Sequence, residues 1–320
     1  MLYVENTRGG DVSVVDLRTY KEVKRISLGD GAHPDDIVAS SDGKTLYLNC
    51  LLHIEGHPAP DATYDSSRIV AVSTETDEII WEKKVRGQVG HMVISPDDRY
   101  LYIALFDMYF VLRFDTKTRE STYIPVHFIG GHGVRLSSDG KRLYVGSMSY
   151  SEIDVIELAT QKVVQRIFFR EQVRPFDITR DEKTAYVQTS WLHGFHVVDL
   201  IKNRIQKTIA LPTLGGDVPV PVEWPNTFDH GMILTPDEKH LIAVATTGGY
   251  ASIYSVPELD LVASVSVGKE PNWVITDGSG QTAYVSNRIS NTISAISIPE
   301  RKVVHTIEVG RYPQRMWIAN

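Results

Sequence analysis

A five-residue turn recurs six times along this chain, and its spacing dictates the architecture. The segments SSDGK (40–44), SPDDR (95–99), SSDGK (137–141), TRDEK (179–183), TPDEK (235–239) and DGSGQ (277–281) are equivalent. With the central residue of each as an anchor (Asp42, Asp97, Asp139, Asp181, Asp237 and Ser279), the spacings are 55, 42, 42, 56 and 42 residues. The period is therefore 42, and two units carry insertions of 13 and 14 residues. Five residues past each anchor stands Tyr47, Tyr102, Tyr144, Tyr186, Ile242 or Tyr284. Runs such as TLYLNC, YLYIAL, RLYVGS and TISAIS alternate apolar and polar residues or are rich in β-branched ones, which marks strands. No stretch of a dozen residues holds a clean helical period.

Four short strands in every ~40–45 residues make the blade of a propeller. A seventh anchor would fall at position 321, one past the last residue. The chain ends MWIAN, which reads as the first strand of a seventh unit, and begins LYVEN, which reads as its second. Sharing one blade between the termini closes the ring without an open edge. The expected fold is all-β: a single seven-bladed β-propeller over residues 1–320, with four antiparallel strands per blade.

The repeat letters are G-x-x-P, an apolar strand, S-P-D-G, L-Y-V-x-N and V-x-x-T-I-x-V-G, clearest over 268–310. This pattern resembles the YVTN-type β-propeller repeat along essentially the whole chain. Such repeats occur in surface-layer proteins, lactonases, amine dehydrogenase chains and DNA-binding propellers. The resemblance therefore implies the fold and leaves the function open.

Composition narrows the function. A net charge of −7 argues against a nucleic-acid surface, which needs clustered Lys and Arg. One cysteine, Cys50, permits neither an intramolecular disulfide nor a thiolate cluster; it reads as a buried inert thiol, with a nucleophile as the alternative. No apolar run approaches the ~20 residues that span a bilayer, and no leader-like segment opens the chain. The expectation is a cytoplasmic monomer. No P-loop, G-x-G-x-x-G, G-x-S-x-G or H-E-x-x-H occurs, so no nucleotide cofactor is expected.

Both insertions, 51–68 and 211–229, belong to links on one face of the ring, and one-sided insertions suggest a binding face. Nine of the 11 histidines fall on or beside that face: His33, His53, His57, His91, His127, His132, His193, His196 and His230. His132 and His230 lie seven residues before their anchors and His91 six before its own, where first strands enter the channel. A one-residue offset flips a side chain in a regular strand, so a local irregularity must absorb it. The residues equivalent to His132 in other blades include Asp35, Arg174 and Asn272.

Imidazoles from separate blades can hold a divalent transition metal with an open position for substrate. His91, His132 and His230 are the expected ligands and His33 a fourth; the competing expectation is a water-filled polar funnel. The segment His53-Ile54-Glu55-Gly56-His57 puts both imidazoles and the carboxylate on one side of an extended strand, and reads otherwise as a solvated loop. Asp35, Asp36 or Asp229 would serve as base, and Arg174 or Arg315 would hold an anionic substrate. Trp191, His193, Trp273 and Tyr312 would bind the rest of it. Arg170, Arg288 and Arg311 lie on the same face. The leading expectation is a metal-assisted lyase, isomerase or hydrolase acting on a small molecule. The rival is a non-catalytic binding or scaffold propeller.

Overall fold

Each recurring turn is built by one device. In SSDGK (40–44) the Ser40 hydroxyl donates to Asp42 Oδ1 at 2.6 Å, and the same oxygen accepts the Lys44 N–H at 3.0 Å. Ser95 with Asp97, Ser137 with Asp139, Thr179 with Asp181 and Thr235 with Asp237 repeat it at 2.5–2.8 Å. In the sixth turn the partners exchange places, Ser279 donating to Asp277 at 2.9 Å. The next residue is left-handed in every turn, whether Gly43, Asp98, Gly140, Glu182, Glu238 or Gly280. An Asx-type turn of this kind reverses the chain between a first and a second strand.

The computed structural model describes residues 1–52, 66–214, 218–221 and 226–319. They form 28 strands in seven four-stranded antiparallel sheets. Six sheets are contiguous in sequence, and the seventh pairs Pro313–Ile318 with Leu2–Asn6, then Asp11–Asp16 and Lys21–Ser27. In that shared blade Leu2 faces Ile318, Tyr3 faces Trp317 and Val4 faces Met316. Backbone bonds between Met1 and Ala319 extend the pairing to both ends.

Burial follows strand position. Second strands such as Thr184–Thr189 are buried at nearly every residue, whereas the outermost strand Arg204–Ala210 is almost wholly exposed. A strand covered on both faces reads as a continuous apolar run, which explains why the second strands were plain in the sequence. The core is divided into seven apolar clusters, one at each blade-to-blade interface. Cys50 is fully buried in one of them, and burial pushes its thiol far above the ordinary range. That environment suppresses the thiolate.

The innermost strands carry the irregularity that positions the site. In six blades the pairing of first with second strand shifts register at the same place. Pro34 faces Cys50 and Asp36 faces Asn49, so Asp35 is extra; Asn272 is extra in the same way between Pro271 and Trp273. A bulge lets consecutive residues, not only alternate ones, contribute to one wall. Gln314 and Arg315, neighbours in the chain, both line the channel cavity. The bulge therefore absorbs the offset between His91 and the other two histidines. The glycines that follow His132 and His230 answer a packing need. A Cβ on Gly231 would lie 2.8 Å from Asn272 O, and one on Gly133 would lie 3.1 Å from the Phe176 ring.

Candidate metal centre at the channel mouth

Three first strands, or the residues just before them, deliver one imidazole each to the channel axis. His91 comes from Val89–Ile94 and His132 from Gly131–Leu136; His230 lies two residues before the short strand Met232–Leu234. All three are buried, and one nitrogen of each lies within 4.8 Å of the others. The ring centroids of His91 and His132 are 4.1 Å apart, and those of His132 and His230 are 5.3 Å apart. Burial first, then the nearby cations Arg315 and Arg174, hold the three pKa values well below the ordinary histidine value. The imidazoles are therefore neutral at physiological pH.

Their hydrogen bonds limit which nitrogen is free. His230 Nδ1 lies 3.1 Å from the Asn272 carbonyl, which only accepts, and 3.1 Å from Asn272 Nδ2, which only donates. The tautomer that donates to the carbonyl leaves the lone pair on Nε2, facing the channel. Arg315 Nη2 donates to His91 Nε2, so that nitrogen is unprotonated and its lone pair is engaged. His132 Nδ1 has no partner, and His132 Nε2 lies 3.4 Å from His230 Nε2. Metal–nitrogen bonds of ~2.0–2.1 Å at a tetrahedral angle place two nitrogens about 3.3 Å apart, so His132 and His230 already stand at ligand spacing. The donor set fits an ion of the zinc, copper, iron or manganese type. The Arg315 guanidinium occupies the third nitrogen, His91 Nε2.

Around the imidazoles lies a cavity of about 70 Å³, lined also by Asp35, Phe106, Asn272, Arg288, Tyr312, Gln314 and Arg315. Asp35 Oδ2 is buried without a hydrogen-bond partner. Burial raises its pKa to about 7, against the opposing pull of Arg315. Arg315 is 2 % exposed, sits 3.4 Å over the Trp273 ring and lies 3.9 Å from Asp36 Oδ1. Arg174 Nε donates to Ser190 Oγ at 2.8 Å.

Other expected residues stand elsewhere or serve the scaffold. Asp36 Oδ2 accepts the Met92 N–H at 2.8 Å, bridging two blades. His33 pairs in register with Leu51 and lies outside the three-histidine group. Asp229 accepts from His193 Nδ1 at 3.0 Å and from Gly194 N–H at 2.6 Å. His193 Nε2 is 2.8 Å from the Tyr250 hydroxyl, which donates to Pro212 O. Trp191 is 49 % exposed and meets Phe228 edge-on. None of Asp229, His193 and Trp191 lines the channel cavity. His127 pairs with Asp154 and His196 with Thr208, so only part of the histidine bias reflects one centre. His53, Glu55, His57 and Trp224 lie outside the described residues.

One residue beside the site had no clear mark in the sequence. Glu5 is fully buried, with neither carboxylate oxygen hydrogen-bonded. Burial, then Asp36 and Asp35, push its pKa well above the ordinary value, with Arg315 acting against them. The signal available was the variable letter of L-Y-V-x-N, which is Glu5 here, Asn49 in blade 1 and Gln188 in blade 4.

Fold and site together define the class: a seven-bladed propeller with three neutral histidines and a buried arginine at the channel mouth. No protein-family model matches the chain. Among curated proteins, antigen Lp49 of Leptospira interrogans is 31 % identical over 108 residues, 33 % of this chain and 23 % of that protein. The chain thus matches less than a quarter of that relative's length. Among solved structures, hydrazine synthase of Kuenenia stuttgartiensis superposes with a TM-score of 0.75 at 21 % identity, over 92 % of this chain and 91 % of that one. A putative 6-phosphogluconolactonase from Bacteroides fragilis gives 0.76 at 16 % identity, over 100 % and 97 %. A functionally unknown protein from Desulfotomaculum acetoxidans gives 0.75 at 12 %, over 100 % and 98 %. At these identities the likeness is one of fold.

Proposed function

We propose that the protein is a metal-assisted enzyme of the lyase, isomerase or hydrolase type, acting on a small molecule at the mouth of its channel. The observation that carries this reading is the convergence of His91, His132 and His230 from three blades, neutral and with nitrogens within 4.8 Å of one another. When bound, the ion would polarise a substrate carbonyl or related oxygen. Asp35, at the cavity wall with a pKa near neutrality, is suited to take or return a proton. Arg315 would release His91 and turn to the substrate. Asp35, the carboxyl on the cavity wall, would offset part of the charge of a divalent ion once ionised. The repeat letters resemble those of the YVTN-type propellers, and a lactonase-like hydrolysis belongs to the proposed class.

A non-catalytic binding propeller is the second reading. It draws on the Arg315–His91 contact, which already satisfies one of the three ligand nitrogens. Metal content after incubation with zinc, manganese, iron or copper and gel filtration separates the two, on protein free of a His-tag. The enzyme reading expects close to one ion per chain, lost in each of His91→Ala, His132→Ala and His230→Ala while the variants still fold. No retained metal in the parent protein would refute it.

A further inference from the structure

Next to the histidine cavity lies a second one of about 180 Å³, lined by Arg8, Arg288, Ile289, Asn291, Arg311 and Tyr312. Arg288 and Tyr312 belong to both walls, so the two spaces adjoin. Three arginines line this space, and two of them stack on one aromatic ring. The Arg8 guanidinium stands 3.9 Å from the centre of the Tyr312 ring and that of Arg288 4.9 Å from it. Stacking on an aromatic face orients an arginine while leaving its N–H edge for a ligand.

The charges do not cancel. Arg288 is 3 % exposed and pairs with Glu270, yet its Nε has no hydrogen-bond partner. Neither Arg8 nor Arg311 forms an ion pair among the described residues. Among the described residues Glu270 is the one carboxylate in an ion pair with any of the three arginines, which leaves net positive charge on this wall.

The backbone is held to serve this arrangement. Tyr312 has a φ of 62°, a left-handed conformation that a bulky residue seldom adopts and that costs ~1–3 kcal/mol. The left-handed conformation recurs at the equivalent position of blade 3, Gly130 (φ 73°), and of blade 6, Glu270 (φ 54°), so it belongs to the repeat. Tyr312 is fixed by its N–H, which donates to Asn291 Oδ1 at 2.9 Å, and by its carbonyl, which accepts from Thr7 N–H at 3.1 Å. Its hydroxyl donates to Glu270 at 3.3 Å. An aromatic ring held by three hydrogen bonds, with two guanidiniums at its face, makes a fixed cationic wall for a ligand.

We propose that this vestibule receives an oxyanion group, a carboxylate or a phosphate, of a small ligand whose other end reaches the histidine cavity through the shared wall of Arg288 and Tyr312. Arginines bind both groups through paired N–H donors. The site needs no metal. It deepens the reading above by naming the substrate as an anion, and rests on that reading only for where the rest of the ligand goes.

The test is calorimetric titration of the full chain, stripped of metal by chelation, with inorganic phosphate in one arm and succinate in the other, at constant ionic strength in chloride. Arg8 and Arg311 are exposed, so Arg8→Gln/Arg311→Gln folds as the parent does. At least one of the two anions should bind the parent, and the double variant should bind it at least fivefold more weakly. The arm that binds more tightly identifies the group. Arg18→Gln, an exposed arginine that lines neither cavity, should bind the anion within twofold of the parent. Titrating chelated protein keeps this result separate from the fate of the metal centre. The proposal is overturned if neither anion binds, if the double variant loses less than fivefold, or if Arg18→Gln weakens binding as much as the double variant does.

Discussion

Glu5 is an acid at a position where the other blades carry neutral residues. In three of them a polar side chain there binds the backbone at or beside a first strand. Asn49 accepts the Asp36 N–H at 3.0 Å and donates to Gly90 O at 2.6 Å; Gln188 accepts the Gly231 N–H at 2.9 Å; Ser286 accepts the Trp273 N–H at 3.2 Å. An acid in that place is buried beside Asp36 and Asp35, and its pKa is raised. Its contribution to stability is full below the unfolded carboxyl range, near pH 4.3, and is lost as pH rises toward the folded value. Asp35 acts with the same sign up to about pH 7. A single such group steepens the loss by at most ~1.4 kcal/mol per pH unit. Glu5→Gln should therefore melt higher than the parent at pH 8, and the two should converge toward pH 4. Melting curves across that range check this. A variant whose melting tracks the parent at every pH would show that Glu5 is paired in solution.

Among the elements, the bulged first strand decides the site. In a regular strand, His91 and His132 would face opposite ways; the bulge brings both to the channel. Gly231 shows how tightly that geometry is held. Its φ is 131°, and a Cβ there would lie 2.8 Å from Asn272 O and 3.2 Å from Trp273 Cα, both backbone atoms of the next blade. Gly231→Ala should cost about 1–3 kcal/mol and displace His230, so metal retention should fall along with the melting temperature. Gly43→Ala is the control. Gly43 is also left-handed, but nothing lies within 4 Å of its would-be Cβ, and its turn is remote from the histidines. It should lose stability without losing metal. Equal metal loss in both variants would mean that general destabilisation, not the bulge, governs the site.

Over the whole molecule, closure depends on Pro313–Ile318. This strand brings Met316 to the interface core between blades 6 and 7 and Arg315 to the channel. Deleting 314–320 removes the inner strand of the shared blade and leaves Leu2–Asn6 with an open edge. The product should be insoluble, or melt roughly 10 °C or more below the parent. Soluble yield and a melting curve decide it, and unchanged melting would contradict closure through the termini.

The period of 42, the turn chemistry and the split blade were legible because each is local. A Ser/Thr–Asp turn and an apolar second strand announce themselves within a few residues, and repetition multiplies a weak signal. The convergence of His91, His132 and His230 was legible only in part. Their register follows from the repeat, but their distances and neutral state depend on how seven blades close around an axis. Partner choice was not legible at all. Asp229 and His230 are adjacent in the chain, yet one binds His193 while the other joins the channel group. Asp35 and Asp36 likewise divide between the cavity wall and an inter-blade bridge. Residues 272, 288, 312 and 315 meet residues 8, 35, 91, 132 and 230 only in the closed ring. Burial, pKa and ion pairing are properties of that enclosure, and a linear pattern of residue types does not contain them.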